Sequence, residues 1–208
     1  MKRTIIATLL SVISTASFAQ ESTVVNGLDL GQLATLVGEW KSAPTGGVDV
    51  APAQDGTPLG KGGPAVELFY ETMKFVPAAD ATNASDQYLT ALYYEQEVFR
   101  KRDDKKFHDQ RGYLIYDKKN KTVYNSFCIP RAGCIVAEGK AGNKISFATK
   151  KQGISQSDYM VENAKTNSFT MMLDFSEKDT LRYTQTTNLT IYGKPFSHTD
   201  SSTLIKIK

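Results

Sequence analysis

Apolar and polar residues alternate with a period of two along most of the chain from about residue 66 onward. In Phe169–Phe175, for example, every second residue is apolar. Successive side chains of a β-strand point to opposite faces, so this period predicts strands with one face in the core and one face in water. Turn-forming segments such as Lys118–Lys121 and Gly193–Pro195 separate the strands. The pattern predicts about ten strands.

The order of the predicted elements indicates an all-β, antiparallel fold. No helical segment separates consecutive strands, as a parallel sheet would require. A single up-and-down β-barrel gives nearly every strand one inner and one outer face and leaves no free edge. A two-sheet sandwich is the alternative. A barrel of about ten strands can enclose one mid-sized ligand.

Two early segments depart from the strand pattern. Leu28, Leu33, Leu36 and Val37 recur at near-helical spacing, which predicts a short N-terminal amphipathic helix that closes one end of the fold. Ser42–Pro64 is rich in Gly, Pro, Ala and Asp, and we expect a long surface loop there.

Two later segments are assigned from weaker patterns. Pro77–Asp86 is predicted as a loop between two long strands. Asp158–Asn163 is predicted as a weak strand.

The first nineteen residues have the pattern of a secretory signal peptide. A basic start precedes the apolar run Thr4–Phe18, and Ser17–Ala19 resembles a signal-peptidase site. We expect cleavage after Ala19 and a periplasmic or secreted location for residues 20–208, which suffice for a single β-barrel domain. The run is too short for a membrane span, and no other run is long enough.

The net charge of the chain limits the classes of partner that we expect it to bind. The formal net charge of +3 includes Lys2 and Arg3, so the chain after Ala19 carries +1. A nucleic-acid-binding protein needs clustered positive charge, so this composition argues against nucleic acid. We expect a small-molecule ligand, and the pattern does not define an oligomeric state.

The two cysteines, Cys128 and Cys134, flank a predicted tight turn. An exported protein lies where disulfides persist, so we expect the two to pair across this turn, with free thiols as the alternative. A metal pair would need further Cys or His ligands at usable spacing, and the sequence offers none.

One strand, with the sequence FHDQRGYLIY, carries the first of two histidines. Asp109 and Arg111 share one face, which we expect to meet water. His108 then points inward together with Gly112 and Tyr116, and the glycine leaves volume beside the imidazole. A buried ligand site needs this arrangement, and an ordinary core histidine shares it.

The second histidine, His198, lies in the last strand, FSHTDSSTLIKIK. Its face also carries Phe196, Asp200 and Leu204, and alternation does not decide which face is inside. The local sequence has no nucleophile elbow, no His–Glu zinc motif and no close carboxylate pair, so no catalytic residue is assigned.

The first histidine strand resembles the His-x-x-x-Gly-Tyr strand of the heme-binding β-barrel family, the nitrobindin-like group related to fatty-acid-binding proteins. Other segments agree with the family in their order and cover most of the chain after Ala19: GEW at 38–40, FYETMKF at 69–75, LTALYYEQEVFRK at 89–101, IPRAG at 129–133, EGKAGNKI at 138–145 and SHTD at 197–200.

The resemblance implies heme b as cofactor, with His198 as the proximal iron ligand and His108 near the opposite heme face. A pocket with one open iron position suits nitric oxide, and some members are credited with isomerising peroxynitrite to nitrate. Gly112 and Tyr116 are expected to line the same site. Two features depart from the family: Gln110 stands where an acid is usual, and the early loop is longer.

Two other functions stay open. GEW after a short helix also resembles the Gly-x-Trp of lipocalins, which implies a non-enzymatic carrier or sensor of a small hydrophobic molecule. YEQ at 94–96 resembles a motif of chromophore lyases on a similar barrel.

Overall fold

The computed structural model describes residues 22–207, so the predicted signal peptide lies outside the described residues. Within this range the chain forms thirteen strands, a 3-10 helix, Gly31–Leu36, and one α-helix, α1, Asp158–Asn163. The strands are β1 (Val24–Val25), β2 (Leu28–Asp29), β3 (Gly38–Ser42), β4 (Gly47–Pro52), β5 (Pro64–Asn83), β6 (Gln87–Arg100), β7 (Lys106–Asp117), β8 (Thr122–Ile129), β9 (Gly133–Lys140), β10 (Lys144–Gln156), β11 (Ala164–Asp174), β12 (Thr180–Ile191) and β13 (Lys194–Lys206).

Strands β3–β13 form one antiparallel sheet that closes on itself. Each strand from β5 to β12 pairs with the next, and β3 and β4 fill, one after the other, the place between β5 and β13. The ring therefore has ten positions. This confirms the prediction of a single up-and-down barrel of about ten strands.

The two ends of the barrel differ. The turns after β5, β7, β9 and β11 lie at one end, together with the N-terminal segment; we call it the closed end. There Leu30, Leu33 and Leu36 are at most 1% exposed, and Trp40 Nε1 donates a hydrogen bond of 2.8 Å to the carbonyl oxygen of Leu36. Burying each leucine stabilises the fold by roughly 1.5–3 kcal/mol. The turns after β6, β8, β10 and β12 lie at the other end, the open end.

Three predicted segments are wrong in part. The expected loop Ser42–Pro64 contains β4, whose Val48 and Val50 alternate with Asp49 and whose backbone pairs with both β5 and β13. The expected loop Pro77–Asp86 is mostly strand, because β5 continues to Asn83 opposite β6.

The third correction concerns α1. The expected weak strand Asp158–Asn163 is helical, because Ser157 caps it: the Ser157 hydroxyl oxygen accepts a hydrogen bond of 3.3 Å from the Met160 amide. None of the six helical residues is buried, so the segment has no side chain that a place in the barrel wall would cover.

The predicted disulfide is confirmed. Cys128 and Cys134 face each other across β8 and β9 and are bonded, with an S–S distance of 2.03 Å. In the described range, no helix combines the length and apolar character that crossing a bilayer requires.

Candidate functional site

A cluster of three polar side chains lies near the open end, where β13 meets β4. His198 and Asp200 are two residues apart on β13 and therefore share its inner face, and Asp49 pairs directly with Asp200 across the two strands. Nε2 of His198 lies 2.5 Å from Oδ1 of Asp49 and 3.4 Å from Oδ1 of Asp200. We call these residues the Asp–His–Asp cluster.

The two carboxylates keep the imidazole protonated. Burial by itself lowers the pKa of His198, but hydrogen bonds and charge from Asp200 and Asp49 outweigh burial and raise the pKa to about 10. Burial opposes ionisation of Asp200, yet its contacts with His198 and Asp49 hold the pKa at about 2. Burial raises the pKa of Asp49 to about 6. At neutral pH the cluster is an imidazolium between two carboxylates, with a net charge of −1.

A third carboxyl, Glu71, lies in the lumen and is 1% exposed. Gln96 Nε2 donates a hydrogen bond of 2.5 Å to Glu71 Oε2, and the Tyr183 hydroxyl lies 3.1 Å from both carboxyl oxygens. Burial raises the pKa of Glu71 to about 7, because the hydrogen bonds only partly offset the loss of water and the charge of Asp200 opposes ionisation.

His108 is also on an inner strand face near the open end, as predicted. Its Nε2 is buried and has no hydrogen-bond partner among residues 22–207. Burial lowers the pKa of His108 below its usual value of 6.5, so the ring is neutral at pH 7. The charge of Asp200 partly offsets this lowering of the pKa, and the charges of Arg131 and His198 add to it.

Two cavities open at this end of the barrel. One, of about 460 Å³, is bordered by Lys61, Tyr192, Lys194 and Phe196. Phe196 precedes His198 on the same face of β13. The other, of about 220 Å³, is bordered by His108 and by the turn that follows β8. The larger volume lies within the roughly 300–1,000 Å³ typical of ligand pockets.

The middle of the lumen is filled with side chains. Buried rings pack there, among them Phe127 against Phe169 with ring centroids 5.3 Å apart. Tyr94 is fully enclosed: Gln110 Nε2 donates a hydrogen bond of 2.6 Å to its hydroxyl oxygen, which in turn donates one of 3.0 Å to Asn125. The space for a ligand is therefore at the open end.

The structure separates the predicted site residues. It brings His108 and His198 to the same end. It places Gly112 in the middle of the barrel wall, where an added Cβ would lie 2.2 Å from the Ser126 carbonyl oxygen, so the expected space beside this glycine is absent. Tyr116 packs against Gly31 at the closed end, eight residues or roughly 26 Å along β7 from His108.

The sequence interpretation missed Asp49 and Glu71 as site residues. Asp49 falls in the segment assigned to a loop, although the alternation of Val48, Asp49 and Val50 is the pattern of a short strand. Glu71 carries no local signal, because its partner Tyr183 is 112 residues away in the chain.

The donor atoms can be tested against heme. Iron takes an axial ligand from an unprotonated imidazole nitrogen. His198 does not meet this condition in this arrangement, since Asp49 holds its Nε2 and the ring is protonated. His108 meets it, since its ring is neutral and its Nε2 has no hydrogen-bond partner within residues 22–207. The residues therefore fit a heme-type ligand through His108.

A closed antiparallel barrel with polar side chains and cavities at one open end defines a ligand-binding β-barrel. Residues 29–206 match a family described as "THAP4-like, heme-binding beta-barrel domain", and the chain belongs to this family. The predicted resemblance to nitrobindin-like barrels is thereby confirmed.

Two solved structures share the fold. Rv2717c from M. tuberculosis has 15% sequence identity and a TM-score of 0.60, with 85% of this chain and 95% of that chain covered. The S-type phycobiliprotein lyase CPES from Guillardia theta has 11% identity and a TM-score of 0.51, with 85% and 90% covered. A comparison with curated proteins gives no significant match.

Proposed function

We propose that this protein binds a flat, largely apolar ligand of the tetrapyrrole class at the open end of its barrel, heme b being the member that its family implies. The observation that carries the proposal is Nε2 of His108: it is a buried, neutral imidazole nitrogen beside a cavity, and no group in the described part of the chain forms a hydrogen bond with it. A buried polar atom without a partner is uncommon in folded proteins, and a bound ligand would satisfy it.

The larger cavity supports an anionic ligand. Lys61 and Lys194 border it, and Lys61 Nζ lies 4.9 Å from the centre of the Tyr192 ring. Together with Phe196, this ring offers an apolar face beside two positive charges. Heme has the matching chemistry, since it combines an aromatic macrocycle with two carboxylates.

The two histidines differ in the change of protonation and hydrogen bonding that each would need in order to bind iron. His108 needs no rearrangement of its hydrogen bonds. His198, the ligand that the family resemblance implies, first has to lose its proton and its contact with Asp49. Bound heme would supply an iron centre with an open position for a small molecule such as nitric oxide, and handling of nitric oxide or peroxynitrite is the activity that the resemblance implies.

Heme titration of the purified protein, followed by the Soret absorption band, tests the proposal. We expect the titration of the wild type to saturate at one heme per chain. The Soret band of histidine-ligated heme should be lost in His108→Ala and should change little in His198→Ala. Each histidine variant serves as the matched control of the other.

The variant Asp49→Asn tests whether the contact with Asp49 prevents His198 from binding iron. If His198 ligates iron, releasing its Nε2 strengthens heme binding, and His198→Ala abolishes it. The heme proposal is rejected if the wild-type chain shows no saturable binding, or if both histidine variants bind as the wild type does.

A second candidate is a carrier of an anionic hydrophobic molecule without heme. The larger cavity favours it, because its lining has two lysines and two rings but neither histidine. Native mass spectrometry of the purified protein distinguishes the two functions: a co-purifying carboxylate other than a tetrapyrrole supports the carrier.

A further inference from the structure

The Asp–His–Asp cluster brings two carboxyl groups onto one imidazole. Among the residues that the structure describes, His198 is the only cationic side chain within ion-pair distance of Asp49 or Asp200. The side chain of Asp49 is 7% exposed and that of Asp200 is 16% exposed. Two carboxyl groups and one imidazole thus converge in a largely buried site, and burying carboxylates is costly without a counter-charge.

We propose that Asp49, His198 and Asp200 form a binding site for one divalent transition-metal ion with the ligand preferences of Zn²⁺. The proposed ligand atoms are Oδ1 of Asp49, Nε2 of His198 and Oδ1 of Asp200. The three residues contribute ligand atoms that lie within 4.8 Å of one another. This site does not depend on the binding of heme.

The distances between the proposed ligand atoms are compatible with a metal ion that replaces the proton between His198 and Asp49. Zn²⁺ binds imidazole nitrogen and carboxylate oxygen at about 2.0–2.2 Å, so ligand atoms around a tetrahedral ion lie roughly 3.4 Å apart. Nε2 of His198 and Oδ1 of Asp200 are 3.4 Å apart already. The His198–Asp49 separation of 2.5 Å is that of a shared proton and has to widen by about 1 Å when the ion replaces this proton.

The charges agree as well. Metal binding displaces the imidazole proton, because only the neutral ring is a ligand. The two carboxylates and a neutral imidazole carry −2, which a divalent ion cancels.

Neighbouring residues support the ligands. Gln185 Nε2 donates a hydrogen bond of 3.1 Å to Oδ2 of Asp200, which orients the carboxylate and leaves Oδ1 for the ion. Ser202, 7% exposed, follows Asp200 on the same inner face, and its hydroxyl faces Glu71, whose pKa it lowers.

Three protein ligands leave the fourth position of a tetrahedral ion open, as in catalytic zinc sites. A water molecule or a small anionic ligand can bind there. With an ion at His198, the histidine that remains for heme iron is His108.

Isothermal titration of tag-free, chelator-treated protein with ZnCl₂ tests the site. We expect one ion per chain, with an affinity reduced at least 10-fold in each of Asp49→Asn, His198→Gln and Asp200→Asn. Gln185→Ala, which removes only the orienting hydrogen bond, should weaken binding by about 10–100-fold. The exposed Asp55→Asn is the matched control and should bind as the wild type does.

Absorption of the Co²⁺-substituted protein gives a second readout, since four-coordinate Co²⁺ with one imidazole ligand differs from hydrated Co²⁺. Circular dichroism confirms that each variant is folded, and the two asparagine variants keep the shape of the side chain they replace. Absence of Zn²⁺ binding, or binding that the three ligand variants leave unchanged, overturns the proposal. Neither result overturns heme binding through His108, because that titration measures a different ligand at a different histidine.

Discussion

Replacement of Glu71 by glutamine should change how the stability of the barrel depends on pH. Glu71 is 1% exposed, and its pKa is raised from 4.5 to about 7 in the folded protein. The folded state therefore binds this proton more tightly than the unfolded state does. Its stabilising effect is complete below pH 4.5 and is lost as the pH rises through 7.

The size of the effect follows from the two pKa values. A difference of about 2.5 pKa units corresponds to roughly 3 kcal/mol in the free energy of unfolding, of which about 2–3 kcal/mol is lost between pH 5 and pH 8. Glutamine keeps the shape and the carbonyl acceptor of the neutral acid for Gln96 and Tyr183, and it cannot ionise.

Urea unfolding of the wild type and of Glu71→Gln at several pH values between 5 and 8 measures the difference. We expect the variant to gain about 2–3 kcal/mol relative to the wild type across this range. Glu39→Gln, on an exposed glutamate beside Lys74, is the control for a change in surface charge and should follow the wild type. If the free energy of unfolding falls by the same amount in the wild type and in Glu71→Gln between pH 5 and pH 8, the reasoning is refuted.

Three further substitutions test the barrel itself. Tyr94→Phe leaves two buried amide groups without their partner and should lower the free energy of unfolding in urea by about 1–3 kcal/mol, with an unchanged circular dichroism spectrum. An unchanged free energy of unfolding would show that the two amide groups can form hydrogen bonds with other partners. Gly112→Ala forces a Cβ to within 2.2 Å of a carbonyl oxygen and should lower stability by about 1–3 kcal/mol. An unchanged midpoint of thermal unfolding would contradict the close packing there. The double variant Cys128→Ser, Cys134→Ser opens a short loop and should lose about 2 kcal/mol, equal to the effect of reductant on the wild type.

The local sequence pattern is sufficient for much of the barrel because the alternation of side chains is a property of the strand itself. Phe169, Met171 and Leu173 are all buried, as their period of two requires. The inward direction of His108 followed from the two charges on the opposite face of β7. The disulfide followed from a short turn between two strands. Each of these features depends on residues that are near one another in the chain.

Local patterns failed where another interaction competed with them. Asp158–Asn163 has too little alternation to specify a strand, and the Ser157 cap makes it helical. β4 is only six residues long and lies among glycines and prolines, so its strand character depends on the two strands that flank it. A short segment of this kind gains its hydrogen bonds from the closure of the barrel.

The sequence by itself placed two histidines on strand faces, and it favoured an antiparallel barrel over a two-sheet sandwich and a disulfide over free thiols. Only the tertiary structure decided that Asp49 meets His198, 149 residues further along the chain, and that Nε2 of His108 has no hydrogen-bond partner among the described residues. The register between β4 and β13 sets the first contact, and the burial of both histidines sets their charge. Register and burial arise when the ring of strands closes, and no stretch of neighbouring residues contains either of them.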